Sequence, residues 1–125
     1  MTSAGQGTIL IVEDEQPLLG LLASYLTRLG YEVEACAAGK EALRRFQEKP
    51  SSYALVLTDA NIPDLSGQEL IRRITKLRPE VRIVLTSGSS IDTARLPPAA
   101  AKARFLLKPF VPARLAEVIK DLLEA

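Results

Sequence analysis

The stretch Tyr53-Ala-Leu-Val-Leu-Thr58 decides the fold class, because every residue before the final threonine is apolar. A strand with one face in solvent alternates apolar and polar residues, whereas an unbroken apolar run is typical of a strand covered on both faces. Such strands occur in parallel sheets that carry helices on both sides. The stretch therefore predicts an α/β protein built around a parallel sheet.

Four further segments of strand length alternate with helical patterns along the chain. Leucines recur at helical spacing from Leu18 to Leu29, with Pro17 at the start of the pattern and Gly30 just after it, as is typical of helix ends. Ser66-Gly-Gln-Glu69 is a capping-box sequence and predicts the start of another helix. The alternation predicts parallel strands joined by right-handed crossovers. The predicted strands are residues 8–12, 31–35, 53–58, 81–85 and 104–107, and the last helix is residues 112–124.

Composition and charge fit a single globular domain. Of the 125 residues, 47% are hydrophobic and 25% are charged, and this length and composition predict one globular domain. We place the domain at residues 8–125, after a flexible tail of residues 1–7. Sixteen basic and fifteen acidic residues leave a net charge of +1, so no strong field favours nucleic acid. Neither a bilayer-spanning stretch nor a signal-peptide pattern occurs, which predicts a cytoplasmic protein without membrane contact.

The inventory of reactive side chains is short. Cys36 is the single cysteine, and the sequence contains no histidine. Disulfides within the chain, zinc sites built from cysteine and histidine, and mechanisms with an imidazole base are therefore excluded. The chemistry of this protein must use carboxylates, hydroxyls and lysines.

Acidic residues follow two of the predicted strands. Glu13 and Asp14 come directly after the first strand, and Asp59 ends the third. Ligands of open α/β sheets bind at the carboxyl ends of the strands, where these residues lie. Carboxylates held close together repel one another unless a cation lies between them. A small set of oxygen ligands favours Mg²⁺, which also accepts phosphate oxygens.

Two further groups complete the predicted site, Ser87 after the fourth strand and Lys108 after the fifth. Mg²⁺ and an ammonium group together neutralise phosphate oxygens, while a carboxylate attacks phosphorus in line. This predicts Asp59 as the nucleophile and Lys108 as the charge that faces the phosphoryl group. Gly88 leaves space for the Ser87 hydroxyl to approach a phosphate oxygen.

Four motifs occur in order at these strand ends: Ile9-Leu-Ile-Val-Glu-Asp-Glu15, Leu57-Thr-Asp-Ala-Asn-Ile-Pro63 with Gly67, Leu85-Thr-Ser-Gly88 and Leu107-Lys-Pro-Phe110. Together they resemble the receiver domain of two-component response regulators. The resemblance covers nearly the whole chain. It implies a flavodoxin-like (βα)5 fold, a doubly wound five-stranded parallel sheet with strand order 2-1-3-4-5. It also implies a phosphoacceptor rather than an enzyme, whose partner is a sensor histidine kinase or a phosphotransfer protein.

The resemblance assigns a role to each site residue. It implies that Asp59 is the phosphoacceptor and a Mg²⁺ ligand, and that Asp14 is a direct ligand. Glu13 is implied to act on the metal mostly through water, and Asn61 through its backbone carbonyl. Lys108 is implied to pair with the phosphoryl group.

The same resemblance implies two switch residues. The switch hydroxyl falls on Ser87 if Gly88 is the small residue that follows it, whereas a shift of one residue would select Thr86. The switch aromatic falls on Phe105, which also fits the interpretation of a plain core residue in the fifth strand.

One segment departs from the family pattern. Receiver domains normally have a continuous helix between the fourth and fifth strands, but Leu96-Pro97-Pro98 interrupts this segment. Two consecutive prolines cannot lie in the middle of a helix, although they can occupy its first turn. We therefore predict a short or broken element over residues 90–102 and partner contacts shifted toward Phe105 and the last helix. The Leu-Pro-Pro sequence before the fifth strand is similar to the corresponding segment of receivers attached to hybrid sensor kinases.

Three other classes of protein share parts of this pattern. A Mg²⁺-dependent phosphatase with an aspartate nucleophile needs a general acid two residues later, where this chain has Asn61. A flavin-binding module of the same topology would hold phosphate beside Glu13 and Asp14, which would repel it. A pseudo-receiver that binds partners without phosphorylation typically lacks an acidic residue or the lysine. The sequence leaves open the cognate kinase, the output pathway, the oligomeric state and whether the chain is free-standing or part of a longer protein.

Overall fold

The computed structural model describes residues 7–89 and 96–124. Strands and helices alternate from the first strand to the fourth, and short 3-10 turns occur at Pro50–Ser52 and Pro98–Ala100, the second of them between the fourth and fifth strands. The elements are β1 (Thr8–Val12), α1 (Gln16–Arg28), β2 (Glu32–Cys36), α2 (Gly39–Glu48), β3 (Tyr53–Asp59), α3 (Gly67–Leu77), β4 (Arg82–Ser87), β5 (Arg104–Leu107) and α4 (Pro112–Glu124).

The five strands form one parallel sheet in the order β2-β1-β3-β4-β5. This confirms the predicted flavodoxin-like topology. The winding reverses between β1 and β3, and Val12 lies opposite Thr58 in their register. The first residues after these two strand ends are therefore neighbours, which determines where the site forms.

The sheet is covered by two separate apolar clusters, one on each face. In β3, Val56 packs on the face covered by α2 and α3, whereas Leu55 and Leu57 pack on the face covered by α1 and α4. All three side chains are at most 2% exposed, and burial of each contributes roughly 1.5–3 kcal/mol. The unbroken apolar run of β3 is thus explained by helices on both faces, as predicted.

Most predicted boundaries agree with the structure, and three strands differ from the prediction by one or two residues. One of them is β3, which ends one residue later than predicted, at Asp59. Ser66 caps α3, where its hydroxyl accepts a hydrogen bond from the Glu69 amide at 3.2 Å. Gly30 follows α1 with a φ of +101°, a conformation that glycine adopts without strain. The strands β2 and β4 begin one residue later than predicted, and β4 extends two residues further, to Ser87. The extra residues are polar but lie beside the neighbouring strand ends, so periodicity alone did not include them.

The prolines before β5 have the predicted effect. Pro97 has an extended backbone, with φ −69° and ψ 157°, and Pro98 begins a 3-10 turn of three residues. A regular helix through this point is excluded, which confirms that part of the prediction; residues 90–95 of the same segment lie outside the described part of the chain. The turn borders a groove of about 450 Å³ at the amino ends of β4 and β5, away from the predicted site.

The chain ends complete the description. Of the predicted tail, Gly7 lies close to Ser52 and Ala54, and residues 1–6 are outside the described range. Among the helices of the described residues, none has the length and apolar character needed to cross a membrane.

Candidate phosphoacceptor site

Three carboxylates meet at the carboxyl ends of β1 and β3. Each of Glu13, Asp14 and Asp59 places one carboxylate oxygen within 4.8 Å of the others. Glu13 is 2% exposed and Asp59 is 6% exposed, whereas Asp14 is exposed to solvent. The cluster is therefore a crevice with a buried floor and one carboxylate at its mouth.

Lys108 crosses from the end of β5 to this cluster. Its Nζ donates to Glu13 Oε1 at 2.8 Å and to Asp59 Oδ2 at 3.1 Å. The backbone N–H of Lys108 donates to the Ser87 carbonyl at 2.7 Å, which fixes the start of this side chain against β4. With all groups ionised, three negative charges and one positive charge leave −2. A divalent cation balances that charge.

Burial sets the protonation behaviour of Glu13. Burial raises the pKa of Glu13, and this effect outweighs the hydrogen bonds from Lys108 and from the Glu15 amide. For Lys108, burial lowers the pKa but the hydrogen bonds to Glu13 and Asp59 prevail, so its net pKa shift is upward. Lys108 therefore stays protonated at neutral pH, while an ionised Glu13 costs folding free energy.

The metal-free protein is expected to become less stable as the pH rises from 4.5, the ordinary pKa of Glu13, through its higher folded-state pKa. The folded-state pKa of Glu13 lies above its ordinary value of 4.5, so in that window the folded state binds a proton that the unfolded chain has released. Glu13→Gln should weaken this dependence and raise the melting temperature at pH ~7. Thermal unfolding with a chelator at several pH values measures it, with Glu15→Gln as the control.

An unchanged melting temperature for Glu13→Gln at neutral pH would contradict this interpretation of the Glu13 environment.

Below about pH 4.5 the stability should instead fall as the pH falls, because Asp64 has a lowered pKa, caused by hydrogen bonds from the Lys40 and Gly39 amides. A lowered pKa stabilises the fold above the unfolded pKa, and that stabilisation is lost as the pH falls.

Two buried hydroxyl residues lie at the end of β4. Thr86 is 3% exposed and Ser87 is 2% exposed. Thr86 lies opposite Asp59 in the strand register, and its carbonyl accepts from the Ala60 amide at 2.7 Å. The Ser87 hydroxyl accepts from the Ser89 amide at 3.2 Å. Both residues border the site, and the choice of Ser87 over Thr86 as the switch hydroxyl stays a prediction.

The loop after β3 is tightly bound to Asp59. The Asn61 amide donates to Asp59 Oδ1 at 3.3 Å, and the Gly67 amide donates to the Ala60 carbonyl at 2.9 Å. A Cβ on Gly67 would lie 2.4 Å from the Asp59 carbonyl oxygen. Only glycine allows α3 to begin this close to the acidic residue.

Phe105 corrects one sequence-based interpretation. It is 39% exposed, so the interpretation of a plain core residue is wrong. Phe105 and Leu107 point to the face of the sheet opposite to buried Leu106, and Leu107 is 59% exposed. The role of Phe105 as a switch residue stays a prediction.

A five-stranded parallel sheet with three carboxylates and a lysine at its carboxyl edge defines an α/β domain with an acidic site suited to a divalent cation. Comparison with known proteins gives the family. A protein-family model described as the response regulator receiver domain matches residues 9–120. The chain belongs to this family, that is, it is a receiver domain of two-component response regulators.

Individual relatives agree with this assignment. The chain is 32% identical over 114 residues to the chemotaxis protein CheY of Thermotoga maritima, covering 89% of this chain and 92% of CheY. It is 37% identical over 123 residues to the sensor kinase CckA of Brucella abortus, covering 97% of this chain but 13% of CckA. The chain thus corresponds to a small part of that kinase and to most of CheY.

One solved structure similar to this chain contains Mg²⁺. The response regulator TrrA of Thermotoga maritima, in complex with Mg²⁺-BeF, has a TM-score of 0.78 and 32% identity, with 93% of this chain and 98% of TrrA covered. Receiver domains bind Mg²⁺ at an acidic cluster, and the oxygen-only set Glu13, Asp14 and Asp59 fits that ion. The phosphatase, flavin-binding and pseudo-receiver alternatives are not favoured.

Proposed function

We propose that this domain accepts a phosphoryl group on Asp59 from a phosphohistidine of a partner protein in a Mg²⁺-dependent reaction, and then changes conformation to signal. The observation that carries the proposal is the contact of Lys108 Nζ with both Glu13 and Asp59 inside the three-carboxylate cluster. Residues 1–125 contain no histidine, so the phosphohistidine lies outside this domain. The partner is a sensor histidine kinase or a phosphotransfer protein.

The hydrogen bonds support different roles for the acidic residues. Glu13 Oε1 accepts a hydrogen bond from Lys108 Nζ, and Glu13 Oε2 accepts one from the Glu15 amide at 3.0 Å. Both carboxylate oxygens of Glu13 therefore already have donors from the protein. Within the described residues, Asp14 has neither a hydrogen bond nor an ion pair, which favours it as a direct ligand. Asp59 and the Asn61 carbonyl complete the ligand set, with Glu13 acting through water. Mg²⁺ bound there would neutralise phosphoryl oxygens.

Phosphoryl transfer follows from the placement of Asp59. A carboxylate oxygen of Asp59 bonds to phosphorus as the P–N bond of the phosphohistidine breaks and its electron pair returns to the imidazole. Lys108 then exchanges its hydrogen bond to Asp59 for one to a phosphoryl oxygen, while its contact with Glu13 keeps the ammonium in place. Later attack of water on phosphorus releases inorganic phosphate and restores the Asp59 carboxylate.

The proposal also covers the extent of the domain, its location in the cell and its output surface. The receiver extends over residues 8–125 after a short tail, acts in the cytoplasm, and is not an enzyme on separate substrates. Exposed Phe105 and Leu107, together with α4, form the surface proposed for output contacts. The exposure of Phe105 and Leu107 supports this placement, because a partner that covers apolar side chains removes them from water.

Phosphorylation by a small donor tests the proposed function. Wild-type protein incubated with acetyl phosphate and Mg²⁺ is expected to gain the mass of one phosphoryl group in intact-mass spectra. The gain should be absent with a chelator in excess, because Asp59 and its neighbouring carboxylates then repel the anionic donor. Equal phosphorylation with and without chelator would contradict the proposal.

Ser87→Ala tests the switch. The variant is expected to bind beryllofluoride while losing most of the NMR shift change at Phe105, because the Ser87 hydroxyl no longer draws its loop toward the phosphoryl oxygen. Thr86→Val is the matched control, since it removes the neighbouring hydroxyl with little change in volume. If Thr86→Val loses the Phe105 response and Ser87→Ala keeps it, the switch hydroxyl is Thr86.

A further inference from the structure

The helix α2 begins without a capping residue of its own. Ala38 occupies the N-cap position and its side chain accepts no hydrogen bond. The first N–H groups of a helix have no partners within the helix and need acceptors from elsewhere. Here Asp64 supplies both acceptors, with Oδ1 2.9 Å from the Gly39 amide and Oδ2 3.0 Å from the Lys40 amide. A residue 25 positions later in the chain therefore caps α2.

Asp64 lies in the loop that leaves the phosphoacceptor, between β3 and α3. The start of this loop is bound to Asp59 through the Asn61 amide, and buried Ile62 anchors its apolar side. Asp64 is the polar attachment of its second half to another element. Because the loop is fixed at both places, the position of the Asn61 backbone depends on the attachment at Asp64 as well as on Asp59.

The β3–α3 loop packs so closely against the first residue of α2 that the loop cannot move toward this helix. A Cβ on Gly39 would lie 2.8 Å from the Leu65 carbonyl oxygen and 2.9 Å from Leu65 Cβ. The loop backbone thus packs directly on the first residue of the helix. The carboxylate also complements the positive end of the helix dipole, so charge and contact hold Asp64 in the same place.

We propose that Asp64 is a positioning residue for the metal site: by holding the β3–α3 loop on the amino end of α2, it fixes the Asn61 carbonyl where Mg²⁺ binds beside Asp59. This inference rests on the proposed function, which places Mg²⁺ at that carbonyl. Asp64 does not contact the metal. It acts through the loop.

Two substitutions separate the effect of Asp64 on the position of the loop from its effect on the stability of the fold: one removes the cap of α2, and the other rebuilds that cap at position 38. Asp64→Ala removes the loop attachment and the cap together. Ala38→Ser, added to it, places a serine at the N-cap position three residues before Glu41, which is the spacing of a capping box. The second substitution thus restores acceptors for the helix without restoring the attachment of the loop. The single variant Ala38→Ser is the matched control. Melting temperature is measured without metal, and Mg²⁺ affinity by NMR titration of backbone amides.

Asp64→Ala is expected to lower the melting temperature by about 4 °C and to weaken Mg²⁺ binding roughly tenfold, as loss of a residue that supports a ligand does. The double variant should recover most of the melting temperature while its Mg²⁺ affinity stays low. Ala38→Ser alone should bind Mg²⁺ like wild type. If Asp64→Ala does not fold, Asp64→Asn, which keeps one acceptor oxygen, should show an intermediate loss of affinity.

Two results would overturn the proposal separately from the proposed function. Wild-type Mg²⁺ affinity in Asp64→Ala would show that the loop holds its position without this residue. Recovery of both stability and affinity in the double variant would show that Asp64 acts only as a helix cap. Failure of the wild-type protein to bind Mg²⁺ would instead overturn the metal site itself, and this inference with it.

Discussion

Asp59→Asn is expected to reduce phosphoryl uptake from acetyl phosphate by ~10³-fold or more, to below detection in intact-mass spectra. The amide is not a nucleophile toward phosphorus, and Lys108 would lose one of its two anionic partners. Asp59 is 6% exposed, and the near-isosteric change keeps its volume. The loss should therefore be chemical, with the fold intact by circular dichroism.

The matched control for this variant is Asp121→Asn. Asp121 lies on the exposed side of α4, 66% of its side chain is accessible, and its partner Arg104 is 3.9 Å away. The same chemical change there should leave the rate and extent of phosphorylation at wild-type values. Equal loss in both variants would indicate that any removal of an acidic group disturbs the reaction, and the role of Asp59 would fail.

Gly67→Ala is expected to destabilise the protein by about 3 kcal/mol. The added Cβ would lie 2.4 Å from the Asp59 carbonyl oxygen and 2.7 Å from the Ala60 Cα. Both contacts are with backbone, which cannot rotate away as a side chain can. Relief requires α3 to shift away from β3 and opens the loop that carries Asn61. Urea unfolding monitored by circular dichroism measures the change.

Gly20→Ala is the control for the glycine variant. Gly20 is exposed within α1, and an added Cβ would meet no atom within 4 Å. The same substitution should stabilise the protein by roughly 0.5–1 kcal/mol through helix propensity. A Gly67→Ala protein as stable as wild type would show that α3 moves freely against the strand, contrary to the close packing in the structure.

Most of the fold could be predicted because its signals are local and mutually consistent. The apolar run of β3 requires cover on both faces, and the structure supplies it from two helical layers. The two strand ends that flank the winding reversal carry Glu13 and Asp59. Their convergence follows from topology, so the acidic cluster was predictable before any distance was known.

The details that sequence analysis missed depend on contacts between distant segments. Phe105 is apolar and lies in a strand, which is typical of a core residue, but its 39% exposure depends on which segments pack against β5. The cap of α2 comes from Asp64, and no spacing rule connects positions 25 residues apart. The only local signal was negative: the helix starts after Ala38, a residue that cannot cap it.

Locating the phosphoryl group on the chain tests directly whether Asp59 is the phosphoacceptor. Protein phosphorylated with acetyl phosphate and Mg²⁺ is reduced with borohydride, which converts an aspartyl phosphate to homoserine, and is then digested and sequenced by mass spectrometry. Homoserine is expected at position 59, with unmodified aspartate at positions 14 and 64. Homoserine at either of the latter positions, or unmodified aspartate at position 59 in protein that gained the phosphoryl mass, would contradict the assignment of Asp59.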